Sequence, residues 1–211
     1  MIRPPHPRLH RSLLARLAGE VESHLGAPCQ LRPADGDLLR ATFVRRRLTR
    51  LDLAARDVPL GDLGARLSTL EVALHELELH GSRLRPHVRA SAGSFVASLG
   101  EEAISDLVQL PPVVERVWFV GDGLRVHTVM GIAFTCEVRL EDGRIVVHPR
   151  VGEALAGRLP WRGLARPVPE LPFGATLESL VVDGGEVVVT GSMDPARLRF
   201  PGQPDEVPNG P

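Results

Sequence analysis

One run of alternating side chains restricts this chain more than any other feature. Between Leu124 and Leu140 a single parity holds for seventeen residues. The even positions are Leu124, Val126, Thr128, Met130, Ile132, Phe134, Cys136, Val138 and Leu140. Between them lie Arg125, His127, Val129, Gly131, Ala133, Thr135, Glu137 and Arg139. Successive side chains of a strand point to opposite faces, so this run reads as strand with one dry and one wet face. Strands usually span about five or six residues, so the run is too long for one ordinary strand. Either Gly131 bends a long strand, or it lies in a turn with an odd number of loop residues. A two-residue hairpin at Met130-Gly131 would pair Val126 with Thr135 and send the two apolar sets to opposite faces. The pattern therefore requires a long, continuous apolar sheet face. That face covers either the protein's own core or a ligand.

The rest of the chain supplies elements to pack on it. Leu9, Leu13, Leu17, Val21 and Leu25 recur every four residues, an amphipathic helix of about four turns that Gly26 stops. Such a helix packs on a sheet or lies on a membrane surface. Cys29–Leu31 reads as a short strand, and Asp37 as the cap of a short helix through Leu38, Leu39 and Phe43. Leu51, Leu53 and Ala55 alternate as a strand. Leu70, Val72 and Leu74 do too, but the phase then moves to Leu77 and Leu79, which predicts a bulge or bend near His75. Ser94 caps a predicted helix to Val108 with Phe95, Val96, Leu99, Ala103, Ile104, Leu107 and Val108 on one broad face, ended by Pro111-Pro112. A meander follows: Glu115–Val120, a turn at Gly121-Asp122-Gly123, the alternating run, and an Asp142-Gly143 hairpin pairing Leu140 with Ile145 and Val138 with Val147. Residues 150–172 read as irregular. Leu177–Val182 and Glu186–Thr190 make a last hairpin around Asp183-Gly184-Gly185. The sum is two or three helices against about nine strands. The fold class is α+β: a bent antiparallel sheet packed around the Ser94–Val108 and Leu9–Leu25 helices. Residues 1–8 are expected to be flexible, residues 9–193 to form one domain, and residues 194–211, with five prolines in eighteen positions, to be a disordered tail.

Composition narrows the class. Apolar residues make up 43% of the 211, enough for a real core. No run approaches the length of a membrane-spanning helix, and the N-terminus lacks the apolar stretch of a secretory signal. A cytoplasmic protein, or one peripheral at the membrane, is expected, with the envelope as its place if the true start lies upstream. All 25 basic residues are Arg. Residues 1–50 hold ten Arg against four acids, a net +6, whereas residues 170–211 hold two Arg against seven acids, a net −5. This asymmetry fits charge pairing within the protein, or a basic end meeting anionic lipid heads or another polyanion.

Reactive constellations are sparse. There is no GxGxxG, GxxxxGK[ST], HExxH or CxxC, and Gly121-Asp122-Gly123 lies between strands, so it is a turn and no phosphate cradle. Two cysteines, Cys29 and Cys136, make no metal cage, and Cys136 on the dry parity reads as a buried thiol. His75, His80 and His87 lack metal-ligand spacing. Ser91, Ser94 and Ser98 have no nucleophile elbow around them. Glu101-Glu102 reads as a solvated helix face. Arg45, Arg46 and Arg47, directly after Phe43-Val44, are the densest basic run: an apolar anchor beside three guanidiniums suited to phosphate, or a solvated turn. Nucleic-acid binding is disfavoured, because no aromatics are interleaved and the net charge is −1.

The layout resembles a known family. An amphipathic N-terminal helix leads into Cys29-Gln30-Leu31 and the Asp37–Phe43 segment. Alternating strands, the Ser94–Val108 segment and the Asp-Gly-punctuated meander follow. The chain then runs Leu171-Pro172-Phe173-Gly174-Ala175-Thr176-Leu177-Glu178-Ser179-Leu180-Val181-Val182 into Gly185-Glu186-Val187-Val188-Val189-Thr190-Gly191. This ending is similar to that of the actinobacterial LmeA-like phospholipid-binding family, and the likeness covers roughly residues 10–193. The resemblance implies a tubular-lipid-binding-like fold, with a curved sheet wrapped around a long helix and an apolar groove. It also implies phospholipid binding without catalysis and an envelope role. Many members carry an N-terminal signal or anchor, and this chain shows none. Expected groove residues are Phe95, Leu99, Leu107, Phe119, Val126, Met130, Ile132 and Phe134, each of which also suits a plain core. Arg45, Arg46 and Arg47 are expected to face anionic head groups. The expected partner is a phospholipid or other amphiphile, with peripheral contact to an anionic membrane and no nucleic acid, metal or cofactor. The rival readings are a ligand-free scaffold on the same fold and, third, a lipid-acting enzyme.

Overall fold

The computed structural model describes residues 15, 17–19, 21–23, 25–34, 47–60, 64–82, 85–108, 112–150, 164–168, 171 and 174–194. Among them twelve strands form two antiparallel sheets. In the first, β1 (Cys29–Pro33), β2 (Arg47–Pro59), β3 (Arg66–Ser82), β5 (Ala92–Leu99), β12 (Glu186–Met193) and β11 (Ala175–Asp183) lie side by side, and β4 (Arg85–Arg89) pairs with the far end of β3. The second is a meander of β10 (Leu164–Pro167), β9 (Arg144–Pro149), β8 (Ala133–Glu141), β7 (Gly123–Thr128) and β6 (Val114–Val120).

Turn chemistry sets the meander's register. Val126 pairs with Phe134 and Leu124 with Cys136, so the apolar set of the alternating run stays on one face. The turn is odd, as parity required: Thr128 N–H donates to Ile132 O at 2.9 Å around Val129-Met130-Gly131, and Gly131 sits at φ 74°. Asp142 and Gly143 both have positive φ, at 49° and 69°, the requirement of a two-residue type I′ hairpin. It pairs Leu140 with Ile145 and Val138 with Val147 as expected. β10 falls inside the stretch read as irregular; its Leu164 pairs with Val147, a four-residue edge strand too short to announce itself by alternation.

In the first sheet, β2 and β3 pair without a register slip, yet the buried set changes parity in both at the same rungs. Leu51 opposite Leu74 and Leu48 opposite Leu77 are all buried, although each pair is separated by three residues along its strand. The change coincides with Glu76 at φ 48°, so the expected irregularity near His75 is a bend, not an inserted residue. There β3 exchanges its neighbour β5 for β4. A second positive φ, 56° at Asp57, is gripped by Arg66, whose Nε and Nη2 donate to Asp57 Oδ1 and O at 2.6 Å each.

The predicted Ser94–Val108 helix is corrected. Residues 92–99 form β5, between β3 and β12, and only Glu101–Val108 is helical. Gly93, Phe95, Ala97 and Leu99 are buried at a period of two, while Ser94 and Val96 are exposed. β5 pairs with β12 over residues 93–99 and with β3 over residues 92–98, so strands on both sides supply backbone partners that override local helix preference. The Glu101–Val108 helix carries half-buried Glu101 and exposed Glu102 in its first turn, where the helix dipole favours acids. The bent sheet is therefore two sheets, and no long helix runs through residues 94–108.

The described residues between 15 and 25 are helical. Leu17, Ala18, Val21 and Leu25 pack against the core, and Gly26 ends the helix at φ 65° with its N–H donated to Glu22 O at 2.9 Å. This is the sheet-packing role of the amphipathic stripe. The predicted Asp37–Phe43 helix, Leu9, Leu13, Arg45, Arg46, the Trp161 region and both tails lie outside the described residues. One buried apolar cluster draws on both sheets, from Leu48, Leu74, Phe95 and Val187 in the first to Val117, Val126, Phe134 and Val147 in the second.

Candidate functional site

The apolar faces of the two sheets meet in that cluster. Phe95 and Leu99 of β5 and Val126 and Phe134 of β7 and β8 are all buried within it, and Phe119 of β6 packs on its margin. Leu107 lies on the Glu101–Val108 helix. Five of the eight expected groove residues therefore belong to one apolar surface. Met130 and Ile132 do not. They lie in and beside the β7–β8 turn, 58% and 39% exposed, and Val129 next to them is 62% exposed. The odd turn that preserves the parity of the strands also lifts its own residues off the sheet face.

No charged residue is buried among the described residues. The only buried polar residues among those described are Ser98 and Thr128. Ser98 Oγ and Thr69 Oγ1 are 2.8 Å apart, and the Thr128 hydroxyl donates to Ile132 O and accepts from Ile132 N–H, both at 3.1 Å. Cys136 is fully buried, and burial pushes its thiol up to about 12. It stays protonated near neutrality and is a poor nucleophile there. Burial, and then the Glu22 carboxylate, also raise the Cys29 thiol. A charged head group has no partner in such an interior, so an amphiphile would keep its polar end at the margin.

The margin holds residues that sequence reasoning missed. Leu140, Ile145, Leu164, Leu171, Leu177 and Met193 are partly exposed and packed on the cluster. Leu140 and Ile145 were legible as a pair, but nothing local marks them as a rim. Arg166 of β10 pairs opposite Ile145 and is exposed, so a guanidinium stands at the edge of the apolar face. Gly191 was also missed. It pairs with Phe95, whose ring occupies the space a side chain there would need. A glycine at an inward position opposite an aromatic was the available signal. Of the Arg run only Arg47 is described. It is exposed, and its Nη2 lies 3.1 Å from Glu78 Oε1. His80 and His87 sit opposite one another across β3 and β4, five residues beyond His75 on β3.

The chain matches the LmeA-like phospholipid-binding family over residues 34–192. It belongs to that family. No curated protein and no solved structure matches it. In this LmeA-like chain the matched span begins before β2 and stops one residue short of the end of β12, so it takes in the second sheet and all of the first except β1 and Met193. No helix among the described residues is long and apolar enough to cross a membrane.

Proposed function

We propose that this LmeA-like protein binds the acyl part of a phospholipid or similar amphiphile against the apolar faces of its two sheets, without catalysis, in lipid handling at the cell envelope. One observation carries the reading: in a chain of a phospholipid-binding family, the surface shared by the two sheets buries no ionised side chain among the described residues. Each methylene taken from water contributes about 0.8 kcal/mol, so an acyl chain needs no polar contact to bind. Phe95, Leu99, Leu107, Phe119, Val126 and Phe134 are the proposed lining, entered from the rim at Leu140, Ile145 and Leu177. Arg45, Arg46 and Arg47 are proposed to face anionic head groups together with Arg166; for Arg47 such contact competes with Glu78. The tubular-lipid-binding-like arrangement belongs to the same reading, with the helix between residues 15 and 25 as the element the sheets curl around.

Burial of Phe95, Leu99, Val126 and Phe134 in a single cluster favours a second reading, a closed core in a ligand-free interaction protein. Native mass spectrometry of the purified protein with lipid extraction separates the two, together with uptake of a labelled phospholipid from liposomes. Co-purified or transferred lipid supports the binding reading. A bare protein that takes up none supports the scaffold.

A further inference from the structure

We infer that the β7–β8 turn is a membrane-docking tip, which inserts Val129, Met130 and Ile132 into the interfacial layer of an anionic lipid bilayer. This goes beyond the proposed function, because it concerns where a bilayer is met and not what is held inside. Three of the six exposed large hydrophobic residues among those described lie in this one turn. Isolated exposed valines are ordinary, but a cluster at a loop tip marks an interaction surface.

The turn pairs most of its own N–H groups, those of Thr128, Val129, Gly131 and Ile132. Backbone groups without partners make insertion unfavourable. Here the N–H groups of Thr128, Gly131 and Ile132 are satisfied within the turn, by Ile132 O at 2.9 Å, Thr128 O at 2.8 Å and Thr128 Oγ1 at 3.1 Å. Val129 N–H donates to Val113 O at 3.0 Å, which fastens the start of β6, with exposed Pro112 before it, beside the tip. The shape is thus set before any contact.

The charges behind the tip select the partner. Arg116 pairs opposite His127, and Arg125 opposite Trp118 and Thr135, so these side chains share the outer face of the meander. The Arg116 guanidinium lies 5.6 Å from the centre of the Trp118 ring, and Arg125 Nη1 donates to Thr135 Oγ1 at 3.3 Å. Among the described residues neither Arg has a carboxylate partner. β6 and β7 carry one acid, Glu115, and it is bonded to His127 Nδ1 at 2.9 Å. At about 3.3 Å per residue, Arg116 stands roughly 10 Å above the tip, at head-group depth when the turn sits in the acyl boundary. Trp118 is rooted two rungs higher, opposite Arg125, with its ring against the Arg116 guanidinium, so arginine at head-group depth backed by tryptophan stands over an apolar tip, the arrangement of an interfacial anchor.

The test uses the full chain and vesicles of equimolar phosphatidylcholine and phosphatidylglycerol. A V129S/M130S/I132S variant should bind them about 100-fold more weakly. An R116Q/R125Q variant should lose about tenfold at low salt and show less salt dependence. Met130→Cys carrying an environment-sensitive dye should shift to the blue on vesicle addition, because Cys29 and Cys136 are buried and leave the new thiol as the reactive one. The same dye at Glu141→Cys, at the far end of β8, should not shift. Unchanged binding of the triple variant, no shift at position 130, or equal shifts at both positions would overturn the tip. Lipid extraction from the same variants keeps the two inferences apart. Lipid retained with vesicle binding lost supports the tip alone, and vesicle binding unchanged in the triple variant while lipid is retained overturns the tip and leaves the interior reading standing.

Discussion

Replacing Gly191 with Ala should destabilise the protein by about 3 kcal/mol. A Cβ at this position would lie 2.6 Å from Phe95 Cε1 and 2.8 Å from Phe95 Cζ, and would press on the carbonyl oxygen of Thr176. Carbon atoms attract best at about 3.5–4.0 Å, so each contact is well inside the repulsive wall. Phe95 is buried at the centre of the first sheet, between Val72 of β3 and Gly191 of β12, and its ring has little room to swing. The Thr176 oxygen belongs to the β11–β12 ladder, next to the irregularity between Leu177 and Ser179, and moves only with the backbone. Overpacking costs about 1–3 kcal/mol, and a displaced backbone puts this site at the upper end. For a chain of this size that is a fall of roughly 6–12 °C in Tm. Urea and thermal unfolding followed by circular dichroism measure it, with Phe95→Leu and the double variant completing a cycle. The double variant should recover part of the loss, because the ring contact is relieved and the Thr176 contact is not. A Gly191→Ala protein within about 0.5 kcal/mol of wild type would refute the reasoning. Full recovery in the double variant would refute the part assigned to the backbone.

Gly123→Ala should cost about 1–3 kcal/mol in the same unfolding assay, because its Cβ would meet Cys136 O at 2.8 Å and Thr135 Cγ2 at 2.9 Å. Cys136, whose thiol burial raises from 9.0 to about 12, should resist alkylation at pH 8 in the native state and react on unfolding. Its raised value also gives a sign: the unfolded thiol ionises first, so stability is intact below about pH 9, falls towards pH 12, and loses this component in Cys136→Ala. Thr128→Val removes both hydroxyl bonds to Ile132 and should loosen the turn by about 1 kcal/mol, read as faster amide exchange at Ile132.

Wherever adjacent residues decide the outcome, the structure follows from local pattern. The one-sided parity from Leu124 to Leu140, the odd turn at Gly131 and the Asp142-Gly143 hairpin were legible because a strand's side chains alternate and a tight turn admits few residue types. The bend one residue from His75 was legible for the same reason: a phase change in the buried set needs a break in the backbone pattern. β5 was not. Gly93, Ser94, Ala97 and Ser98 are small enough for helix or strand, and Phe95 and Leu99 are spaced four apart, which suits a helix face as well as one face of a strand. β10, with four residues, was too short to leave a period.

Side-chain alternation, turn residues and the scarcity of buried charge were therefore set by the amino-acid sequence itself, and with them a β-rich fold with a long apolar face and membership of a phospholipid-binding family. The tertiary structure decided what no local pattern could. Partners distant in the chain, β3 and β12, made residues 92–99 a strand, since only their unpaired edges could satisfy it on both sides. Parity assigned Met130 and Ile132 to the same dry face as Phe134, but whether an apolar side chain is covered depends on what lies across from it. Opposite Phe134 lies Val126; the turn carrying Met130 has no strand across from it among the described residues, and its apolar side chains are exposed.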